Sequence, residues 1–160
     1  MRYDPAMSVH IERVGIESAE TVFRTVMTLL RELGAEAGDV GELDEARLRA
    51  AWSAASDRFH VFVARAEAGE VAGLVTLCET FAIYANGNYG VIDEMYVAPA
   101  FRSQGLGKRL IDRIKGFGRE KGWTRIDVTA PEGQGWERTR RFYEREGFSF
   151  AGPKLKFPIA

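Results

Sequence analysis

Val91-Ile-Asp-Glu-Met-Tyr-Val97, Ala98-Pro99, and then Arg102-Ser-Gln-Gly105-Leu-Gly107 read as an apolar strand, a stop and a tight turn. Leu106, Leu110, Ile111, Ile114 and Phe117 follow at helical spacing, so the turn opens a long amphipathic helix. Pro99 keeps the strand from continuing, because proline has no N–H to give a ladder. Two glycines one residue apart at a strand-to-helix junction let the backbone come close to a ligand. The helix start aims orphan N–H groups and the positive end of its dipole at whatever docks there. Both features favour an anion, and the stretch predicts a phosphate-bearing cofactor.

Working outward from that stretch, Val22, Val26, Leu29, Leu30 and Leu33 recur at helical spacing, with Ser18 placed as N-cap and Gly34 as stop. Leu48, Ala51, Trp52 and Ala55 mark a second helix with Asp44 near its start. A glycine-rich acidic loop, Gly34 to Leu43, joins the two, and a short strand around Val9 to Val14 precedes the first. Strands are expected over His60 to Arg65 and Val71 to Thr80, with turns at Ala68-Gly-Glu70 and Asn86-Gly87. Beyond the long helix, which Gly122 closes, come a strand over Arg125 to Ala130 and a helix over Trp136 to Glu146. One or two short strands are expected over Phe148 to Phe157. The pattern predicts one mixed α/β domain over residues 1–160, with no repeat, linker or low-complexity tract.

Composition agrees with a globular chain of 160 residues, 46% hydrophobic and 28% charged, with a net charge of −1. From residue 101 onward 14 Lys and Arg face 7 Asp and Glu, whereas the first hundred residues hold 8 basic and 16 acidic groups. The basic half suits a polyanion and the acidic half a cation, although two differently solvated faces would give the same counts. Aromatic and basic residues do not interleave as in a nucleic-acid module, so nucleic acid is not an expected partner. No apolar run is long enough for a membrane span, and the N-terminus has no apolar h-region. A lone cysteine, Cys78, fits a reducing, cytoplasmic setting. The two histidines, His10 and His60, stand far apart, and no cluster has metal-ligand spacing, so no metal is expected.

Three glycine-loop patterns compete for Arg102 to Gly107. A dinucleotide fingerprint needs a third glycine where Leu110 stands. A Walker A loop needs glycine at Arg102 and Ser or Thr at Arg109. The remaining pattern, Arg/Gln-x-x-Gly-x-Gly/Ala, is matched by Arg102, Gly105 and Gly107. With the preceding strand, and with Arg141-Phe-Tyr-Glu-Arg-Glu-Gly-Phe148 some forty residues later, the chain resembles the GNAT superfamily of N-acetyltransferases across almost its whole length. The resemblance implies a mostly antiparallel sheet flanked by helices with two splayed central strands, acetyl-coenzyme A as cosubstrate, and room for a homodimer. It implies that Arg102, Ser103, Gln104, Gly105, Leu106, Gly107 and Lys108 hold the pyrophosphate. Met95, Tyr96 and Val97 would line the thioester, with the N–H groups of Met95 and Val97 polarising its carbonyl. At Trp136 and Thr139 the chain departs from the Asn and Ala that members often carry; Trp136 packs either on the pantetheine arm or over the core.

Acetyl transfer further needs a neutral amine and a proton for the departing thiolate. An amine of pKa near 10.4 is about one part in a thousand free base at pH 7, so a carboxylate or its water must take a proton. Asp93 and Glu94 are the acids at hand, and strand alternation sends them to opposite faces. Asp93 then shares the face of Met95 and Val97 and is the preferred base. Tyr143 matches the tyrosine that the family places beside the sulfur as general acid. Direct transfer is expected, since Cys78 sits in strand core.

In this fold the acceptor side is built by the first two helices, their loop and the turn before the central strand. Those segments hold Glu36, Asp39, Glu42, Asp44 and Glu45, then Phe81, Tyr84, Asn86, Asn88 and Tyr89. Carboxylates with aromatics suit a small cationic amine. A coenzyme-binding regulatory module without catalysis and a protein N-terminal or lysine acetyltransferase are the alternatives.

Overall fold

The computed structural model describes residues 8–34, 43–130, 134–157 and 159. Five strands lie in the order of the chain: β1 (His10–Val14), β2 (Phe59–Arg65), β3 (Val71–Ala82), β4 (Gly87–Val97) and β5 (Ile126–Val128). The first four pair antiparallel, while β4 and β5 run parallel. A parallel neighbour requires a crossover, and α3 (Leu106–Glu120) supplies it. Helices α1 (Ala19–Leu33) and α2 (Glu45–Ala54) cover one face of the sheet; α3 and α4 (Glu137–Arg145) cover the other.

Each face carries its own apolar core because strand residues alternate between them. Val61, Val63 and Leu74 meet Val22, Phe23, Val26 and Trp52 on the α1–α2 side. Phe62, Val75 and Leu77 meet Leu110, Ile111 and Ile114 on the α3 side. All of these six are fully buried, and each full burial contributes about 1.5–3 kcal/mol. The five-residue stripe read from the sequence is therefore what fixes α3, and with it the loop at its start, against the sheet.

Local signals act much as expected at α2, where Asp44 accepts a hydrogen bond from the Arg47 N–H at 3.0 Å as N-cap. At α1 they differ. Ser18 makes no capping bond, because a short 3-10 turn (Ile16–Ser18) winds straight into the helix and Ser18 N–H already bonds Gly15 O. Asn86 and Gly87 form the expected turn with φ of 58° and 133°. The acidic loop residues Glu36, Asp39 and Glu42 lie outside the described residues.

The expected strands over Phe148 to Phe157 do not form. Gly152 turns away at φ 132°, Pro153 has no N–H to pair, and Phe150, Leu155 and Phe157 stay exposed. The strand expected over Arg125 to Ala130 shortens to Ile126–Val128, the three residues that pair with β4. Among the described residues no helix is long and apolar enough to cross a membrane.

Candidate active site

β4 and β5 share only three pairs, Gly90 with Ile126, Val91 with Asp127 and Ile92 with Val128. Beyond Ile92, β4 runs on to Val97 without β5, so the sheet opens into a gap. The hydrogen-bond period of β4 fixes what points into it. Glu94 N–H is bonded to Thr76 and Ala98 N–H to Ala72 O, both on β3. N–H groups two residues apart share a side, so those of Met95 and Val97 point away from β3 and into the gap. These two N–H groups are the ones expected to polarise a thioester carbonyl, and both are turned toward the gap.

The opening coincides with a β-bulge. Val75 pairs with Met95 and Leu77 with Ile92, so Thr76 alone opposes both Asp93 and Glu94. The bulge interrupts the alternation between Ile92 and Met95, three residues apart on the same core. Met95 and Val97 pack on the α3 core together with Ile92, whereas Glu94 joins Thr76 on the α1–α2 face. The two carboxyls are close enough that Asp93 raises the pKa of Glu94, on top of the larger effect of burial; a hydrogen bond from Thr76 opposes both. Asp93 is itself raised by desolvation, offset by Lys154. Two carboxyls that both titrate above their ordinary range suit proton acceptance.

At the turn before α3, Ser103 and Gly105 take left-handed φ of 61° and 80°. The first helical bond runs from Arg109 N–H to Gly105 O at 3.1 Å, which leaves the N–H groups of Leu106, Gly107 and Lys108 without helical acceptors. The space over Gly105 is open, and a Cβ there would meet nothing within 4 Å. Gly107 differs: a Cβ would lie 3.1 Å from the Phe142 ring, so its missing side chain admits α4. An anion cradle of this kind fits a pyrophosphate at Gly105 and the helix start.

The side chains of the loop divide into anchors and free groups. Arg102 donates from Nε to Val97 O at 2.8 Å and pairs through Nη2 with Glu32 at 2.6 Å, tying the loop to β4 and α1. Gln104 bonds Ala100 O at 2.7 Å, Leu106 is buried in the α3 core, and Lys108 pairs with Asp112 at 2.7 Å. Tyr96 points to the α1 face, its hydroxyl donating to Glu32 at 3.4 Å, away from the loop. One cation missed in the sequence stands at the loop: Arg138 of α4 donates to Ser103 Oγ at 2.9 Å. Only the helical placement of α4 could have suggested it.

Tyr143 is buried on the opposite side of β4 from Glu94, between the rings of Phe142 and Phe148. Its hydroxyl donates to Met95 Sδ at 3.6 Å, and burial pushes the phenol up to about 12. The gap thus has a protonated phenol at one face and the Glu94 carboxyl at the other. Trp136 stands apart from it. Its Nε1 is sealed without a partner among the described residues, and it lines a cavity of about 1930 Å³ outside β5 with Trp123 and Phe148. That cavity includes neither the loop nor Tyr143.

On the acceptor side Tyr84 and Tyr89 are hydrogen-bonded at 3.0 Å and already carry a cation, the Arg125 guanidinium at 4.9 and 5.2 Å from their rings. Phe81 is exposed, Asn88 contacts Glu79 at 3.5 Å, and Glu45 is exposed at the start of α2. Cys78 is partly buried; desolvation and the nearby Asp93 raise its thiol. Among the described residues no three His, Cys, Asp or Glu side chains converge on a metal-sized site.

Residues 57–150 match the family model of the acetyltransferase (GNAT) domain. The chain is 30% identical over 129 residues to an IAA acetyltransferase of Azospirillum brasilense, covering 80% of this chain and 79% of that protein. An aminoglycoside acetyltransferase from an uncultured soil metagenomic sample, solved in complex with sisomicin, superposes with a TM-score of 0.75 at 21% identity over 97% of both chains. A predicted acetyltransferase from Clostridium acetobutylicum, solved with acetyl-CoA, does so with 0.75 at 16% identity over 94% of this chain and 96% of its own. At such identities the two solved structures speak for the fold.

Proposed function

This chain belongs to the acetyltransferase (GNAT) domain family and is an N-acetyltransferase; from that premise we propose that it moves an acetyl group directly from acetyl-coenzyme A to the primary amine of a small cationic molecule. The observation that carries this reading is the two-faced gap in the sheet. Bound there, the family's donor supplies the activated acetyl group. Met95 and Val97 N–H groups hold its carbonyl oxygen as charge develops, with no reorganisation needed. Tyr143, protonated across the physiological range and on the coenzyme face, gives a proton to the departing sulfur. A carboxyl of the Asp93–Glu94 pair takes one from the amine. The Gly105 turn and the start of α3 seat the pyrophosphate, with Arg138 held beside the turn by Ser103.

Direct transfer is supported by Cys78, whose raised thiol makes it a poor nucleophile. A cationic acceptor is supported by the two carboxyls at the bulge and by a neighbour of the same fold that was solved with sisomicin. Tyr84 and Tyr89 add nothing to this argument, because Arg125 occupies them.

Thiol release from acetyl-coenzyme A over a panel of polyamines, aminoglycosides, amino acids and peptides tests the reading. Turnover on small cationic amines, retained in Cys78→Ala, is the expected result. Coenzyme binding with no turnover on any acceptor would mean a regulatory module, and turnover confined to peptides would mean a protein acetyltransferase.

A further inference from the structure

Two carboxyls stand side by side at the bulge, and only one of them is held. Asp93 is exposed and makes no hydrogen bond to the described residues. Glu94 is gripped twice by Thr76, a side chain only 1% exposed in the middle of β3. The Glu94 N–H, displaced from the regular ladder, donates to Thr76 Oγ1 at 3.0 Å, and the same hydroxyl donates to Glu94 Oε2. We infer that Thr76 is a positioning residue that fixes Glu94, rather than Asp93, as the group taking the acceptor amine's proton, a role that rests on the amine-acetyltransferase reading.

The geometry explains why a hydroxyl is needed here. An extra residue in β4 leaves one backbone donor without its ladder partner, and a buried orphan N–H is costly. Thr76 satisfies it with an oxygen lone pair, which directs the hydroxyl hydrogen the other way, onto the carboxylate. Threonine is β-branched and stiff at χ1, and it sits on a central strand, so the carboxylate inherits the rigidity of the sheet. Glu94 Oε1 has no partner among the described residues and is not one of their sealed atoms, which leaves it to receive the proton. The ammonium N–H bond breaks toward Oε1, its electron pair stays on nitrogen for the attack, and Thr76 keeps its own proton.

Among the described residues the charged groups around this carboxyl are few. Asp93 adjoins it, with Lys154 of the C-terminal segment and the Cys78 thiol of β3 set against Asp93. Further along β4, Tyr96 meets Glu32 of α1, which Arg102 neutralises. A donor that favours the ionised carboxylate should lower its pKa, and removing it should move the titration to higher pH.

Two readouts test this. In protein labelled with ¹³C at the glutamate carboxyls, the signal missing from Glu94→Gln is that of Glu94. Its titration midpoint should rise in Thr76→Val and return in Thr76→Ser. The acidic limb of the kcat/KM profile should move with it, with about a tenfold loss at pH 6 in Thr76→Val and about a hundredfold loss in Glu94→Gln. If Thr76→Val does not fold, Thr76→Ala takes its place. A midpoint unmoved in the folded variant overturns the proposal. So does a midpoint that moves while the acidic limb stays fixed, or a limb that disappears in Asp93→Asn and not in Glu94→Gln. A wild-type protein that acetylates no amine would count against the proposed function instead, and the titration would still decide the Thr76–Glu94 contact.

Discussion

The Tyr143 hydroxyl lies 3.6 Å from Met95 Sδ, so the buried phenol of α4 is aimed at the stretch of β4 that has left β5 behind. A thioether is a weak acceptor, and the bond gives the phenol a direction more than it gives the fold stability. A buried hydroxyl with such a partner is available to a stronger one.

Tyr143→Phe should therefore lower kcat by about a hundredfold, a typical size for a lost general acid, and leave coenzyme affinity nearly unchanged. With the phenol pushed up to about 12, it stays protonated through pH 9, so the wild-type basic limb in that range must belong to another group. Steady-state kinetics from pH 6 to 10, with coenzyme binding by calorimetry, measures both. Equal kcat values in the two proteins would remove Tyr143 from the mechanism.

Gly105 and Gly107 should respond differently to alanine. Gly105→Ala meets no neighbour but must hold a left-handed φ of 80°, a strain of about 1–2 kcal/mol at the anion cradle itself. Gly107→Ala keeps an ordinary helical backbone but pushes 3.1 Å from the Phe142 ring, an overpacking cost of about 1–3 kcal/mol. Since Phe142 precedes Tyr143, Gly107→Ala should also lower kcat by displacing α4, whereas Gly105→Ala should chiefly weaken coenzyme binding. Urea unfolding and a KM-against-kcat comparison separate the two.

The two arginines at the loop are held differently. Arg102 is held by Val97 O and Glu32, while Arg138 reaches the turn through a hydroxyl alone. Arg138→Gln should weaken coenzyme binding by about tenfold and flatten its salt dependence, as expected for a lost phosphate contact. Glu32→Gln should change stability by less than about 1 kcal/mol, because the Arg102–Glu32 pair is substantially exposed. Binding isotherms at two ionic strengths and an unfolding curve check these outcomes.

The strand, turn and helix from Val91 to Phe117 were legible because periodicity and glycine placement act locally, and the family match follows from them. What escaped the sequence depends on partners. The bulge exists because Thr76 opposes two residues of β4, and nothing in Asp93-Glu94 announces an extra residue. Alternation counted through it misses that Ile92 and Met95, three residues apart, share the α3 core. The packing reason for a glycine at 107 was hidden because its neighbour, Phe142, lies 35 residues away in the chain. Leu155 and Phe157 alternate with lysines as strand residues do, but a period of two does not supply an edge to pair with.

His60 gives the fold a pH dependence separate from catalysis. It is 2% exposed in β2, packed edge-on to Phe117 at 4.8 Å; Arg13 Nη2 lies 3.0 Å from its Nδ1, and Nε2 is sealed without a partner among the described residues. Desolvation first, then the charges of Arg13 and Lys121, lower its pKa to about 4. Unfolded, the same imidazole takes a proton near pH 6.5. Between those values the unfolded chain binds more protons than the folded one, so stability falls as pH drops from about 6.5 toward 4 and is fully retained above that window. Urea midpoints should decline across this interval and then lose that contribution to the slope below it. In His60→Phe, which keeps an aromatic ring against Phe117 and removes the titrating group, the decline should be shallower. An identical pH dependence in the two proteins would assign the acid sensitivity to other groups.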